Sequence, residues 1–226
     1  LRKTLGRSVR AQIQSQMKEQ RDAKAHELFA LSERRAGEIA QMLPSTTTLV
    51  VEDDHAWGIS TGPVESLGDL LPDRVVHIRG FSKSHGPDLR LAAIGGPSEV
   101  IERVRARRML GAGWSSRLLQ LLLLDMLSDE TVIEAIATAR SVYTSRRKRF
   151  LERLRSHGID LDDGDGLNLW VPVDDEQSAL VALAAAGVRV APGAPFTLGG
   201  RADHLRLTVG LLPESDADWL AGLVAS

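Results

Sequence analysis

The sequence predicts an α/β fold built in layers, with a larger N-terminal part and a smaller C-terminal α+β part. Three observations carry this expectation. Short apolar runs at 46–51, which is β-branched, and at 75–78 and 91–94 are interleaved with stretches of helical periodicity. A long helical pattern opens at Asp129 and stops at Gly158. Beyond it, strand and helix patterns alternate to the C-terminus.

Taken in order, residues 8–43 are rich in Gln, Lys, Arg, Glu and Ala, with apolar positions at Leu28, Leu31, Ile39 and Leu43. At least the second half reads as an amphipathic helix that must end before Pro44. The run 46–51 reads as a buried strand ending in Glu52-Asp53-Asp54. A Gly/Pro/Ser loop, 58–68, leads to a second buried strand, 75–78, and a third short run, 91–94, closes on Gly95-Gly96-Pro97. Ser98 is expected to cap a helix whose face carries Val100, Ile101 and Val104. Gly111 and Gly113 interrupt, and a further helix covers 115–127.

The long helix from Asp129 places Val132, Ile136, Ala139, Tyr143, Phe150 and Leu154 at helical spacing. It is expected to join a large domain, residues 1–140, to a small one, residues 141–226. The remainder reads as strand 167–173, helix 176–186, strands 188–190 and 205–209, and helix 214–224.

Composition narrows the function classes. A formal net charge of −2 gives no global attraction to nucleic acid or anionic membrane. With no cysteine there are no disulfides and no thiolate metal sites, which fits a reducing, cytoplasmic setting. The most apolar stretch, 118–127, is broken by Gln120 and Asp125 and is too short to span a bilayer. The basic runs at Arg103 to Arg108 and Arg146 to Arg149 read as solvated helix faces.

Two strands end in residues that can carry chemistry: Asp53 on the first, Ser82-Lys83 on the second. In an open α/β sheet, ligands sit in the crevice outside the carboxyl ends of the strands. There an acid and a lysine can face one another across pyridoxal phosphate. The lysine amine holds the aldehyde as an imine, and the carboxylate keeps the pyridine nitrogen protonated. Ser82, Ser84 and Arg90 supply hydroxyl and guanidinium partners for a phosphate. Arg206 lies between apolar neighbours on a strand, an unusual place for a guanidinium without an anionic partner. A Ser-Lys pair after a strand is by itself a common structural feature. The ordered set Asp53, Lys83, Arg90 and Arg206 points to a ligand.

The segment from Phe81 to Leu91, FSKSHGPDLRL, resembles the cofactor-lysine motif of class I/II aminotransferases of fold type I, and Val51-Glu52-Asp53-Asp54-His55 resembles their acidic strand end. The wording is most similar to the aminotransferase-like domain of MocR-type regulators in the GntR superfamily. From Gly187 to Phe196, from His204 to Thr208 and from Gly166 to Trp170, the sequence is similar to the small domain of these proteins.

The resemblance implies a partial fold type I (aspartate aminotransferase-like) large domain with a small α+β domain. It implies pyridoxal 5'-phosphate on Lys83, with Asp53 at the pyridinium nitrogen and Ser82 and Arg90 at the phosphate; His55, where many relatives carry a tyrosine, stands either at the ring hydroxyl or as a surface-turn histidine. Arg206 would grip a substrate α-carboxylate, with Asn168 nearby. Trp57 is expected to pack; His85 and His204 are not expected to be catalytic.

The family's phosphate loop, stacking aromatic and Asn-Pro-x-Gly stretch find no match, and Ile13-Gln14-Ser15-Gln16 follows Arg10-Ala11-Gln12. The chain is therefore expected to be a C-terminal portion, or to have rearranged its first fifty residues, and to bind cofactor weakly alone.

Three functions follow from the resemblance. One is the effector-sensing domain of a regulator that takes an amino acid or amine and reaches DNA through a module outside this chain. Another is a free-standing aminotransferase passing an amino group to a 2-oxo acid. The third is a cofactor-free remnant. A homodimer and no membrane association are implied in each case.

Overall fold

In a computed structural model, the described residues are 33–43, 47–62, 65–111, 113–161, 164–197 and 203–225. The chain divides between Arg140 and Ser141 into two units, and the helix Glu130–Ser156 contributes to both.

The unit up to Arg140 is organised by a three-stranded sheet. Its strands are β1 (Val50–Asp54), β2 (Val75–Gly80) and β3 (Ala92–Gly95), in the order β1-β2-β3. β1 and β2 run parallel, with Val50 opposite Val75 and Asp54 opposite Arg79. β3 returns antiparallel, with Ile78 opposite Ile94. Parallel neighbours need a long crossover, and residues 55–74 supply it.

One face of β1 and β2 is covered by helix α1 (Glu33–Met42) and the turn at Leu67–Leu71. Ala36, Leu67 and Val75 are buried there, with Ile39, Val50 and Leu71 packed around them. The expected helix does end before Pro44; its predicted apolar residues Leu28 and Leu31, and the residues from Arg10 to Gln16, lie outside the described set.

Two expectations about β1 are corrected. β1 begins at Val50, not Thr46, so the acidic residues lie within the strand. It is not a buried strand: Val51 is 42% exposed, and burial alternates along its length. All four residues of β3 are exposed. The reason lies in the sheet, where β1 and β3 are the two edges. A β-branched run reports strand propensity, not which faces are covered.

Helix α2 (Ser98–Arg108) has Pro97, not Ser98, at its N-cap position; proline's fixed φ pre-sets the entry and no side chain caps it. Helix α3 (Arg117–Ser128) is capped by Ser116, whose hydroxyl accepts from Leu119 N–H. Leu119, Leu123 and Met126 pack on Phe81 and Leu89. The opposite side exposes Leu118, Leu121 and Leu124. Asp129 opens α4 (Glu130–Ser156) by accepting from the N–H of Thr131.

The second unit contains an antiparallel sheet ordered β4-β6-β5, made of β4 (Asn168–Pro172), β5 (Ala191–Pro192) and β6 (His204–Thr208). Leu169, Val171, Leu205 and Leu207 point to one face and are buried with Phe150, Leu151 and Leu154 of α4. Leu183 of α5 (Glu176–Ala185) and Leu220, Ala221 and Val224 of α6 (Glu214–Val224) complete this core. Gly158 ends α4 at φ 86° as expected. Its N–H reaches the Arg155 carbonyl and that of Ile159 reaches Leu154, the pattern of a Schellman end.

The strand expected at 188–190 forms instead at Ala191–Pro192 and is only two residues long. The N–H of Val188 is spent on the Leu183 carbonyl at the end of α5, so the ladder starts later.

The arginine cluster at 146–149 is also corrected. Arg147 is 7% exposed and donates Nη1–H to the Asn168 carbonyl at 2.6 Å. Arg146 donates to the Gly210 carbonyl at 2.6 Å, and Arg149 pairs with Glu214. Arg146 and Arg147 thus tie α4 to the sheet, while Lys148 and Arg149 remain on the solvated side.

Candidate functional site

The parallel pairing brings the carboxyl ends of β1 and β2 to one sheet edge. A Cβ on Gly80 would lie 3.7 Å from both Cα and Cβ of His55, so the residues leaving the two strands are in contact. From β1 come Asp53 and His55; from β2 comes the turn 81–85, closed by the His85 N–H on the Phe81 carbonyl at 2.9 Å.

Asp53 points away from the face covered by α1, and its side chain is 75% exposed. His55 Nδ1 meets the Asp53 backbone carbonyl at 3.2 Å. A carbonyl only accepts, so Nδ1 carries a proton and the neutral ring has Nε2 as an acceptor.

Beneath this edge, on the opposite face, lies a polar ladder. His77 Nδ1 meets Glu52 Oε2 at 3.1 Å and its Nε2 meets Asp54 Oδ2 at 3.0 Å. Arg79 Nε donates to the same Asp54 oxygen at 3.0 Å. Glu52 also accepts from Ser66 Oγ at 2.7 Å and Leu67 N–H at 2.6 Å, which fastens the crossover to β1. The guanidinium of Arg79 stacks 4.9 Å from the Trp57 ring centroid, and Trp57 Nε1–H donates to the Gly80 carbonyl at 3.1 Å. The ladder thus joins both strand ends with groups that satisfy one another.

The turn after β2 rests on an aromatic floor. Phe81 meets Trp57 and His85 edge-on at 6.0 and 5.7 Å, and Trp57 stacks on His85 at 6.1 Å. Trp57 packs, as expected. His85 is buried, its Nδ1 lies 2.8 Å from Ser84 Oγ, and burial lowers its pKa from the ordinary 6.5. Lys83 sits exposed on top of this turn and Ser82 is half-buried. Among the described residues, Lys83 and Arg90 enter no ion pair.

Arg90 follows the short 3-10 turn Pro87–Leu89 and has φ 50° and ψ 34°, the left-handed region. It is the one described non-glycine residue with positive φ. Such conformations cost on the order of 1 kcal/mol and collect at functional sites.

The remaining predicted residues lie in the second unit. On the face of its sheet opposite the core, Trp170 stands opposite Arg206, and Asn168 opposite Thr208. Asn168 Oδ1 accepts from Thr208 Oγ1 at 2.7 Å. Three residues here were not singled out as ligand-site components: Trp170, Phe196 and His204. All three had a visible signal, since each falls in a segment quoted for the small domain.

The predicted residues therefore form two groups. Asp53, His55, Ser82, Lys83 and Arg90 share the first unit; Asn168 and Arg206 share the second. The first group combines an amine, a guanidinium, a hydroxyl and a carboxylate within the first unit. That donor set fits a ligand with an aldehyde, a phosphate and a basic ring nitrogen.

No family model matches the chain. The vitamin B6 salvage pathway transcriptional repressor PtsJ of Salmonella typhimurium is 32% identical over 194 residues, 85% of this chain and 45% of that protein. The HTH-type transcriptional regulator TauR of Rhodobacter capsulatus is 31% identical over 158 residues, 66% of this chain and 32% of that protein. The chain thus spans under half the length of these relatives. Among solved structures, an aromatic aminotransferase from Pyrococcus horikoshii superposes with a TM-score of 0.77 at 22% identity, covering 86% of this chain and 55% of that one. An aspartate aminotransferase from Thermus thermophilus, solved with maleate, gives 0.75 at 21% identity, covering 86% and 52%. The fold is that of the aspartate aminotransferases, in part.

Proposed function

Since the chain belongs with the aminotransferase-like part of MocR-type GntR regulators, we propose that it is the effector-sensing portion of a transcription regulator that uses pyridoxal phosphate as its ligand-responsive group. The observation that carries this reading is the shared sheet edge, where His55 abuts Gly80 and the Lys83 turn begins. Kinship with a repressor of vitamin B6 salvage supports a pyridoxal-type ligand.

When bound, pyridoxal phosphate supplies an aldehyde that couples to amines and a ring that accepts electrons. Lys83 would be the amine for that aldehyde; it is exposed, and it enters no ion pair among the described residues. Asp53 holds the proton on the ring nitrogen, because a carboxylate facing a pyridine favours its protonated form. Ser82 and Arg90 would hold the phosphate as hydroxyl and guanidinium donors. His55, whose Nδ1 meets the Asp53 carbonyl, would stand at the ring hydroxyl. Arg206 takes the carboxylate of an amino compound, with Asn168 beside it on the same sheet face. A homodimer, and DNA contact through a module outside this chain, belong to the same reading.

The test is borohydride reduction of the chain mixed with pyridoxal phosphate, followed by peptide mapping. Reduction should fix the pyridoxyl group on Lys83 and nowhere else. Labelling spread over surface lysines, or unchanged in Lys83→Ala, would sink the reading. Release of a keto acid on adding amino acids would instead favour the aminotransferase alternative.

A further inference from the structure

The sheet face that presents Arg206 carries a run of rings. His204 and Trp170 stack at 5.2 Å and 19°. Trp170 meets Phe196 edge-on at 6.0 Å and 90°. The guanidinium of Arg206 lies 4.8 Å from the centroid of the Phe196 ring. Of the Arg206 nitrogens, Nε is buried without a hydrogen-bond partner.

We propose that Phe196, braced by Trp170, is a positioning residue that aims Arg206 at a carboxylate, and that Glu176 sets the bracket by holding the turn that carries Phe196. The proposal rests on reading Arg206 as the carboxylate-binding arginine.

An arginine side chain has many rotamers, and freezing it opposes anion binding. A ring face attracts the guanidinium and fixes its plane. With Nε enclosed, the two terminal amino groups are the edge left to pair, and that edge matches a carboxylate in bidentate fashion.

The ring is itself held in place. Phe196 ends a short 3-10 turn, Ala194–Phe196, whose first backbone groups are clamped. Glu176 Oε2 accepts from the N–H groups of Gly193 and Ala194, both at 2.9 Å. Gly193 N–H is shared with the His204 carbonyl at 2.8 Å. A Cβ at position 193 would lie 2.5 Å from that carbonyl oxygen, so the turn is pressed against β6 at a point only glycine tolerates. Glu176, the first residue of α5, thereby reaches Arg206 through the turn and the ring.

The test uses the full chain, isobutyrate as a carboxylate probe, and the Nε–H resonance of Arg206 in nitrogen-edited NMR spectra. In the wild type this resonance should lie upfield, from the ring current of Phe196, and should move on adding isobutyrate but not isobutylamine. Phe196→Leu should abolish the upfield position and weaken isobutyrate binding about five- to tenfold, the scale of a partly desolvated cation–ring contact. Phe196→Tyr should restore both. Glu176→Ala, which keeps the ring but frees its turn, should weaken binding about two- to threefold. Wild-type affinity in folded Phe196→Leu, or in Glu176→Ala, would overturn the bracket. Unaltered binding in Arg206→Gln would overturn the carboxylate reading itself, which the Phe196 variants do not address.

Discussion

Gly58 and Ser84 touch so closely that a Cβ on Gly58 would sit 2.4 Å from the Ser84 Cβ. Ser84 follows Lys83 directly, and the Gly58 carbonyl is itself held by Arg140 Nη2 at 3.0 Å. The crossover after β1 is thus pinned on one side and pressed against the lysine turn on the other.

Gly58→Ala must therefore push the lysine turn, because the obstructing atom is bound directly to the backbone and cannot swing aside. Overpacking of this kind costs about 1–3 kcal/mol. The expected outcome is a lower urea midpoint together with reduced pyridoxyl labelling of Lys83. A variant as stable and as readily labelled as wild type would show that the contact is loose in solution.

Arg90 offers the opposite separation. Its left-handed backbone is a conformation that glycine adopts without steric cost. Arg90→Gly should leave stability unchanged or raise it by up to about 1 kcal/mol. It should at the same time weaken binding of pyridoxal phosphate more than that of pyridoxal, which lacks the phosphate. Equal loss for both compounds would remove Arg90 from the phosphate.

His85 gives a pH dependence with a definite sign. Burial lowers its folded-state pKa below the ordinary 6.5. Between the lowered value and about 6.5, the unfolded chain binds more protons than the folded one, so stability rises with pH across that window. The contribution is present above about 6.5 and is lost as pH falls through the folded value. His85→Phe keeps a ring between Trp57 and Phe81 but does not titrate. Urea midpoints at pH 7.5 and 5.5 should differ less in the variant than in the wild type; an equal fall in both would assign the acid sensitivity elsewhere.

The local framework around the candidate site was legible before the structure because its signals are local. The Lys83 turn follows a β-branched run, and the acids that end at Asp54 follow another. The small domain's strands and helices sit within a residue or two of their predicted positions, apart from the short β5. Periodicity and turn chemistry act over a few residues, and neighbouring side chains suffice to express them.

What tertiary structure alone decided are the relationships that cross long stretches of chain. Sequence showed that Arg206 lies on a strand between apolar neighbours; only the fold set it against Phe196, on a turn clamped by Glu176. Sequence placed Arg147 in a basic run; only packing buried it against the Asn168 carbonyl. The apolar run ahead of Asp53 predicted a buried strand, yet an edge position left Val51 exposed. Burial, pairing and charge partners are properties of neighbours in space, and those neighbours exist only once the chain has closed.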